Sequence, residues 1–255
     1  MGNWKELDIN VDSLWLYGER DKSGKHENNY HGNFIPQIPN QLIRRYTKEN
    51  ELVLDVFMGS GTTLYECETL KRKGIGFDIN DDIINIVQSK IKNDNIFIEK
   101  CDVTETNLVE NKIGHILKIL NKNFLDFIIM HPPYMDIIKF TEQKNDLSHI
   151  DNIKDFIRVF IKVCKNTLSF LDNNRYFAVV IGDLYRKGEV LPLSFYIMDA
   201  IKRNFNVTLK GIVVKNIEGN KGKIGKQSIW KYRALNSDYF IFKHEYIFVF
   251  KKGIS

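Results

Sequence analysis

The passage that most constrains this chain runs from Leu52-Val53-Leu54 through Asp55-Val56-Phe57-Met58-Gly59-Ser60-Gly61 to Thr62-Thr63. An apolar run, an acid, a turn with two glycines and a helix-compatible segment from Leu64 to Leu70 spell strand, turn and helix. In an open α/β sheet such a turn lies at the carboxyl end of a strand, where ligands bind. Glycines 59 and 61 would let the backbone approach that ligand closely. Taken alone, the same pattern also describes a plain tight turn.

From Glu51 onward strand-like and helix-like segments alternate. Strands are expected at 52–57, 74–78, 95–100, 125–130 and 176–181, and helices at 63–72, 81–92, 153–171 and 194–204. Leu125 to Met130 is apolar except for Asp126, as suits a strand covered on both faces. Segments 207–214 and 245–250 read as a closing antiparallel pair. This alternation predicts a three-layer α/β sandwich, with the strand order left open. Upstream, residues 1–30 read as a polar, irregular extension anchored by Leu14, Trp15, Leu16 and Tyr17. A helix is expected at 40–47, with Pro39 suited to its start.

The 255 residues, 43% hydrophobic and 27% charged, suit one α/β domain over 1–255. A net charge of +5 permits a polyanionic partner without requiring one. Cys67, Cys101 and Cys164 are widely spaced and form no CxxC pair. That argues against a disulfide framework or a zinc site and for a reducing, cytoplasmic setting. No signal core, membrane-length apolar run or internal repeat is evident, and neither membrane nor metal is expected to be involved.

Two acids stand where an α/β fold would place them around a nucleoside. Asp78 ends the second expected strand, about twenty residues after the glycine turn, where a carboxylate can accept ribose hydroxyls. The alternative is an acid that caps the following helix. Asp102 follows the third strand and could accept from an adenine amino group, or stand solvated in a loop. After the fourth strand comes His131-Pro132-Pro133-Tyr134. Adjacent prolines fix the backbone and offer no amide donor, leaving free carbonyl acceptors beside a flat aromatic face.

DVFMGSGTT and HPPY, in this order, resemble the cofactor loop and catalytic tetrapeptide of the S-adenosylmethionine-dependent amino-group DNA methyltransferases, which modify adenine N6 or cytosine N4. HGNFIPQIPNQLIRRYT is similar to the segment that precedes their cofactor loop, and KHEYIFVFKK to their final strand. The resemblance covers roughly residues 30–252 and implies a Rossmann-like class I methyltransferase sandwich, with a mostly parallel seven-stranded sheet and a final antiparallel strand. It implies that Phe34, Ile35, Asp55, Phe57, Gly59, Ser60, Gly61 and Thr62 line the cofactor pocket. Asp78 and Ile79 would lie at the ribose, and Asp102 and Val103 at the adenine. His131, Pro132, Pro133 and Tyr134 would face the target base. His131 departs from the family's usual Asp, Asn or Ser. A neutral imidazole can accept an amino hydrogen and a protonated one cannot, so activity should fall on protonation.

The implied reaction is direct, metal-free methyl transfer to a base flipped out of double-stranded DNA, adenine favoured over cytosine, in a restriction-modification setting. A basic loop insertion at 216–240 and its approach bring Lys215, Lys221, Lys223, Lys226, Lys231 and Arg233 together with glycines and Trp230, a composition suited to phosphates. Lys139, Lys144 and His149, with Arg186 and Lys187, could flank the same groove. No separate target-recognition domain is expected, so specificity would come from loops, a homodimer or a separate specificity subunit. The rival readings are an RNA methyltransferase acting on an exocyclic amine, a non-catalytic subunit of a modification complex, and a dehydrogenase, which would leave HPPY unexplained.

Overall fold

A computed structural model describes residues 7–26, 33–135, 146–217 and 227–254. In chain order these form β1 (Leu14–Trp15), α1 (Gln37–Tyr46), β2 (Leu52–Asp55), α2 (Thr62–Thr69), β3 (Lys73–Asp78), α3 (Asp81–Lys90), β4 (Ile96–Lys100), α4 (Thr106–Ile119) and β5 (Leu125–Met130). There follow α5 (Ile153–Leu168), β6 (Leu171–Ile181), a hairpin of β7 (Leu184–Arg186) and β8 (Glu189–Leu191), α6 (Leu193–Asn204), β9 (Val207–Asn216), α7 (Gln227–Asn236) and β10 (His244–Lys252).

The main sheet has eight strands in the order β1-β9-β10-β6-β5-β2-β3-β4. Strands β4, β3, β2, β5 and β6 are mutually parallel. Strand β10 lies antiparallel to both β6 and β9, as expected of a closing pair. Strand direction has a consequence for the site. Because β10 runs the other way, its first residues reach the edge where the parallel strands end.

Each strand divides its residues between two cores with period two. Leu52, Leu54, Ile128, Met130, Phe177, Val179, Phe248 and Phe250 pack with Val109 and Ile113 of α4, Phe156 and Phe160 of α5, and Ile197 of α6. Val53, Phe127, Ile129, Ala178, Val180 and Ile247 pack with Ile38 and Leu42 of α1, Leu64 of α2 and Val87 of α3. Helices therefore cover both faces, the three-layer arrangement read from the alternation. Asp126, the one acid in β5, accepts the Leu52 N–H at 2.8 Å and Lys122 Nζ at 2.9 Å and pairs with Arg175. Its burial is thus compensated, and its hydrogen bond ties β5 to the start of β2.

The sheet departs from the seven-strand expectation because residues 14–15 of the supposedly irregular extension add an edge strand beside β9. Trp15 is buried, but Leu14 and Leu16 are exposed, so alternation along a strand leaves them outside the anchor they were expected to form. Asn216 holds this edge instead, accepting the Tyr17 N–H at 2.8 Å and donating to the Tyr17 carbonyl at 2.9 Å. Helix α1 starts earlier than expected, with Pro36 as its cap and Pro39 inside the first turn, where no amide partner is needed. Helix α5 stops at Leu168 because Leu171 opens the long strand β6. The 216–240 segment is not wholly a loop, since it contains α7.

Strand order reverses between β2 and β5: the chain builds outward from β2 through β3 to β4, then restarts at β5 and moves the other way. Crevices of doubly wound sheets open at that switch point, beyond the strand ends. Here it lies between the glycine turn after β2 and HPPY after β5, and Val56 N–H donates to the Ile129 carbonyl across it at 3.1 Å.

Candidate active site at the sheet switch point

The turn after β2 is closed by the neighbouring strand. Met58 N–H donates to the Phe77 carbonyl at 2.8 Å, and Gly59 N–H donates to Asp78 Oδ2 at 2.9 Å. Asp78 Oδ1 accepts the Asn80 N–H at 2.9 Å, and burial raises its pKa. Asn80, not Asp78, caps α3, accepting from the amides of Asp82 and Ile83. The simple capping explanation for Asp78 therefore fails.

Gly61 has φ +82°, and a Cβ there would come within 2.7 Å of Val87 Cγ1. Gly61→Ala should cost about 2–4 kcal/mol, combining left-handed strain with overpacking against α3, as read from denaturant midpoints.

Asp55 is buried, and its Oδ1 accepts the Phe57 N–H at 3.1 Å. Burial pushes its pKa up to about 7, against the Thr63 hydroxyl and the Phe57 amide, which favour the carboxylate. The acid braces the turn from behind. Between the unfolded pKa of 3.8 and about 7, the folded state holds more protons than the unfolded chain, so stability falls as pH rises through that window. Asp55→Asn should abolish this slope, giving a gain over the parent at pH 8 that vanishes near pH 4 and is bounded by about 4 kcal/mol. Chemical denaturation at the two pH values measures it.

Asp102 begins the loop after β4. Its Oδ1 accepts the Thr104 N–H at 2.9 Å and the Thr104 hydroxyl at 2.7 Å, while the buried Oδ2 has no donor among the described residues. Val103 beside it is buried, and its carbonyl accepts Asn166 Nδ2 at 3.0 Å. Phe57, Gly59, Ser60 and Ile79 are half-buried, and Thr62 is buried at the start of α2.

Pro132 of the HPPY turn is buried, and Pro133 is half-buried. The rings of Phe34 and His131 lie 4.9 Å apart, joining the segment before α1 to the end of β5, while Ile35 packs against the same core. Tyr134 rests on Gly182, where a Cβ would approach its ring to 3.2 Å. A polar chain then leads inward. His131 Nε2 lies 3.2 Å from the Tyr134 hydroxyl, which donates to Glu245 Oε2 at 3.2 Å, and Lys215 Nζ donates to Glu245 Oε1 at 3.0 Å.

This chain fixes a tautomer. The tyrosine has one proton, and the carboxylate receives it. Nε2 must then carry the hydrogen facing the tyrosine oxygen, which leaves Nδ1 as the imidazole's acceptor. Burial pushes the His131 pKa down to about 4, while Glu245 and Lys215 act in opposite directions. Burial, reinforced by Glu245, keeps Tyr134 protonated.

Glu245 escaped the sequence reading, although an acid opening an apolar strand was its signal. Lys215 was assigned to phosphate contact, and the structure overturns that: it is buried and paired with Glu245. Of the other nucleic-acid candidates, Lys139, Lys144, Lys221, Lys223 and Lys226 lie outside the described residues. Arg186 Nη1 donates to the Asp151 carbonyl at 2.7 Å, and Arg233 stacks 5.5 Å above the Trp230 ring on α7. No helix among the described residues is long and apolar enough to cross a membrane.

The sheet order, with one antiparallel strand beside a parallel core and strand order reversing between β2 and β5, defines a Rossmann-like methyltransferase fold. A solved S-adenosylmethionine-dependent methyltransferase from Methanosarcina mazei superposes with a TM-score of 0.50 at 11% identity, covering 84% of this chain and 98% of that one. At that identity the likeness concerns the fold alone. Residues 3–89 match the sequence model described as DNA methylase, about a third of the chain. The Type II methyltransferase M.MjaII of Methanocaldococcus jannaschii is 35% identical over 110 residues, 42% of this chain and 18% of that protein. A protein of Methanothermococcus thermolithotrophicus, named a probable tRNA (guanine(10)-N2)-dimethyltransferase, is 33% identical over 87 residues, 34% of this chain and 52% of that one. The matched region thus spans under a third of the first curated relatives, at 18% and 29% of their lengths.

Proposed function

We propose that this chain is an enzyme that transfers the methyl group of S-adenosylmethionine to an exocyclic amino group of a base flipped out of DNA, adenine N6 ahead of cytosine N4. The observation that carries this reading is His131: half-buried, touching Phe34, with its pKa pushed down by desolvation and with Nδ1 left as acceptor by the Tyr134–Glu245 chain.

The residues present suit the cofactor. Asp102 Oδ2 is a buried acceptor without a donor among the described residues, which an adenine amino group would supply. Asp78 remains able to accept from ribose hydroxyls through its second lone pairs. When bound, the cofactor supplies a methyl carbon on a positively charged sulfur, open to attack from the opposite side.

His131 Nδ1 and the carbonyls of the HPPY turn accept the hydrogens of the target amine. Its lone pair is thereby turned out of the ring and toward the methyl carbon. Tyr134 offers a face on which the flipped base can stack, worth about 1–3 kcal/mol. The proton lost from the methylated nitrogen can pass to His131 Nδ1 and then to solvent. Arg186 and α7 stand as phosphate-contacting candidates together with the basic residues at 221–226, and loops of one domain, a second copy or a specificity subunit would supply sequence recognition.

The similarity to the tRNA guanine methyltransferase favours a second reading, an exocyclic amine in RNA. Incubation with radiolabelled S-adenosylmethionine and either duplex DNA or tRNA separates the two. Label in DNA that digests to N6-methyl-2′-deoxyadenosine or N4-methyl-2′-deoxycytidine is the expected outcome. Label in RNA alone would favour the second reading, and label in neither would point to a non-catalytic subunit.

A further inference from the structure

Four buried polar atoms without a hydrogen-bond partner among the described residues lie on the N-terminal segment: Arg20 Nε and Nη2, His26 Nδ1 and Asn33 Nδ2. Arg20 is the informative one. Its Nη1 donates to the Phe34 carbonyl at 2.8 Å, so the guanidinium is held against the residue whose ring touches His131. Burial depresses its pKa, and no carboxylate pairs with it among the described residues. Nε and Nη2 form the edge of the guanidinium that grips a carboxylate through two parallel hydrogen bonds. A guanidinium held out of water with that edge unused is costly unless an anion arrives to take it. Asn33, next to Phe34 in the chain, adds another unused donor.

We infer that Arg20, assisted by Asn33, receives the α-carboxylate of the methionine part of S-adenosylmethionine. The inference rests on the cofactor reading above and adds a residue outside both the glycine turn and the HPPY turn. A compact carboxylate suits this place better than a nucleic-acid phosphate, because Nε and Nη2 are shut off from solvent.

Calorimetric titration with two ligands tests it without any turnover. S-adenosylhomocysteine carries the carboxylate, and 5′-methylthioadenosine keeps the nucleoside and sulfur but lacks the amino-acid end. Arg20→Gln should weaken the first about 10–100-fold and leave the second unchanged, consistent with loss of charge-assisted hydrogen bonds. Equal losses for both ligands, or no loss for either, would overturn the assignment. Arg20→Lys keeps the charge without the fork and should show the same selective loss, which serves if Arg20→Gln does not fold. Parent protein that binds neither ligand would overturn the cofactor reading and this inference with it, so the two failures are distinguishable.

Discussion

Replacing His131 by alanine is expected to slow methyl transfer about 10²–10³-fold while leaving S-adenosylhomocysteine affinity nearly unchanged. The magnitude follows from removing one preorganised group from a site where little water can replace it. The split between rate and binding follows from position. His131 follows β5, on the side proposed for the base, whereas the glycine turn, Asp78 and Asp102 stand at the ends of β2, β3 and β4. His131→Asn restores an acceptor of the kind usual in the family and should recover part of the rate. An alanine variant at full activity would remove the imidazole from the chemistry.

The same side chain sets an acid limit. An exposed histidine would lose its acceptor near pH 6.5, but burial moves this loss to about pH 4. Between those values the unfolded chain takes up a proton that the folded site refuses, so stability falls on acidification across the window. The rate should consequently stay flat down to the pH where the fold itself begins to yield. A kinetic pKa near 6.5 that His131→Asn abolishes would contradict the lowered pKa of this imidazole.

Legibility in this sequence tracked the distance over which a residue's meaning is decided. The glycine turn, Asp78 and HPPY are local statements, each a strand followed within a few residues by unusual backbone chemistry. Leu125–Met130 could be read as a doubly covered strand because that environment permits little but apolar side chains, and Asp126 stands there only with Leu52, Lys122 and Arg175 around it. Helix α4 carries a usable signal in Val109, Ile113, Ile116 and Leu117, buried at helical spacing, yet it is not among the helices expected from the sequence. A two-residue strand such as β1 has no period to detect. Lys215 and Glu245 were out of reach for another reason. They meet only through the β9/β10 register, and a lysine at the edge of a basic run looks like a phosphate contact until its burial is known.

That buried pair supplies a second large effect. Glu245→Ala is expected to destabilise the fold by about 3–5 kcal/mol, since Lys215, only 5% exposed, would keep its charge in the interior without a partner. Replacing both residues by methionine should restore most of that stability, because a well-packed apolar pair avoids desolvation of both ions. Catalysis should not return with it. Without Glu245 the Tyr134 hydroxyl has no carboxylate to receive its proton and can turn it toward His131 Nε2. The imidazole then carries its hydrogen on Nδ1 and meets the target amine as a donor, where an acceptor is required. Nitrogen chemical shifts of His131 distinguish the tautomers directly: Nε2–H in the parent and Nδ1–H in the Lys215→Met/Glu245→Met variant. A double variant that is stable, fully active and unchanged in tautomer would reduce the pair to a packing element. A stable but slow one, with the hydrogen moved, would make Glu245 the residue that positions the acceptor.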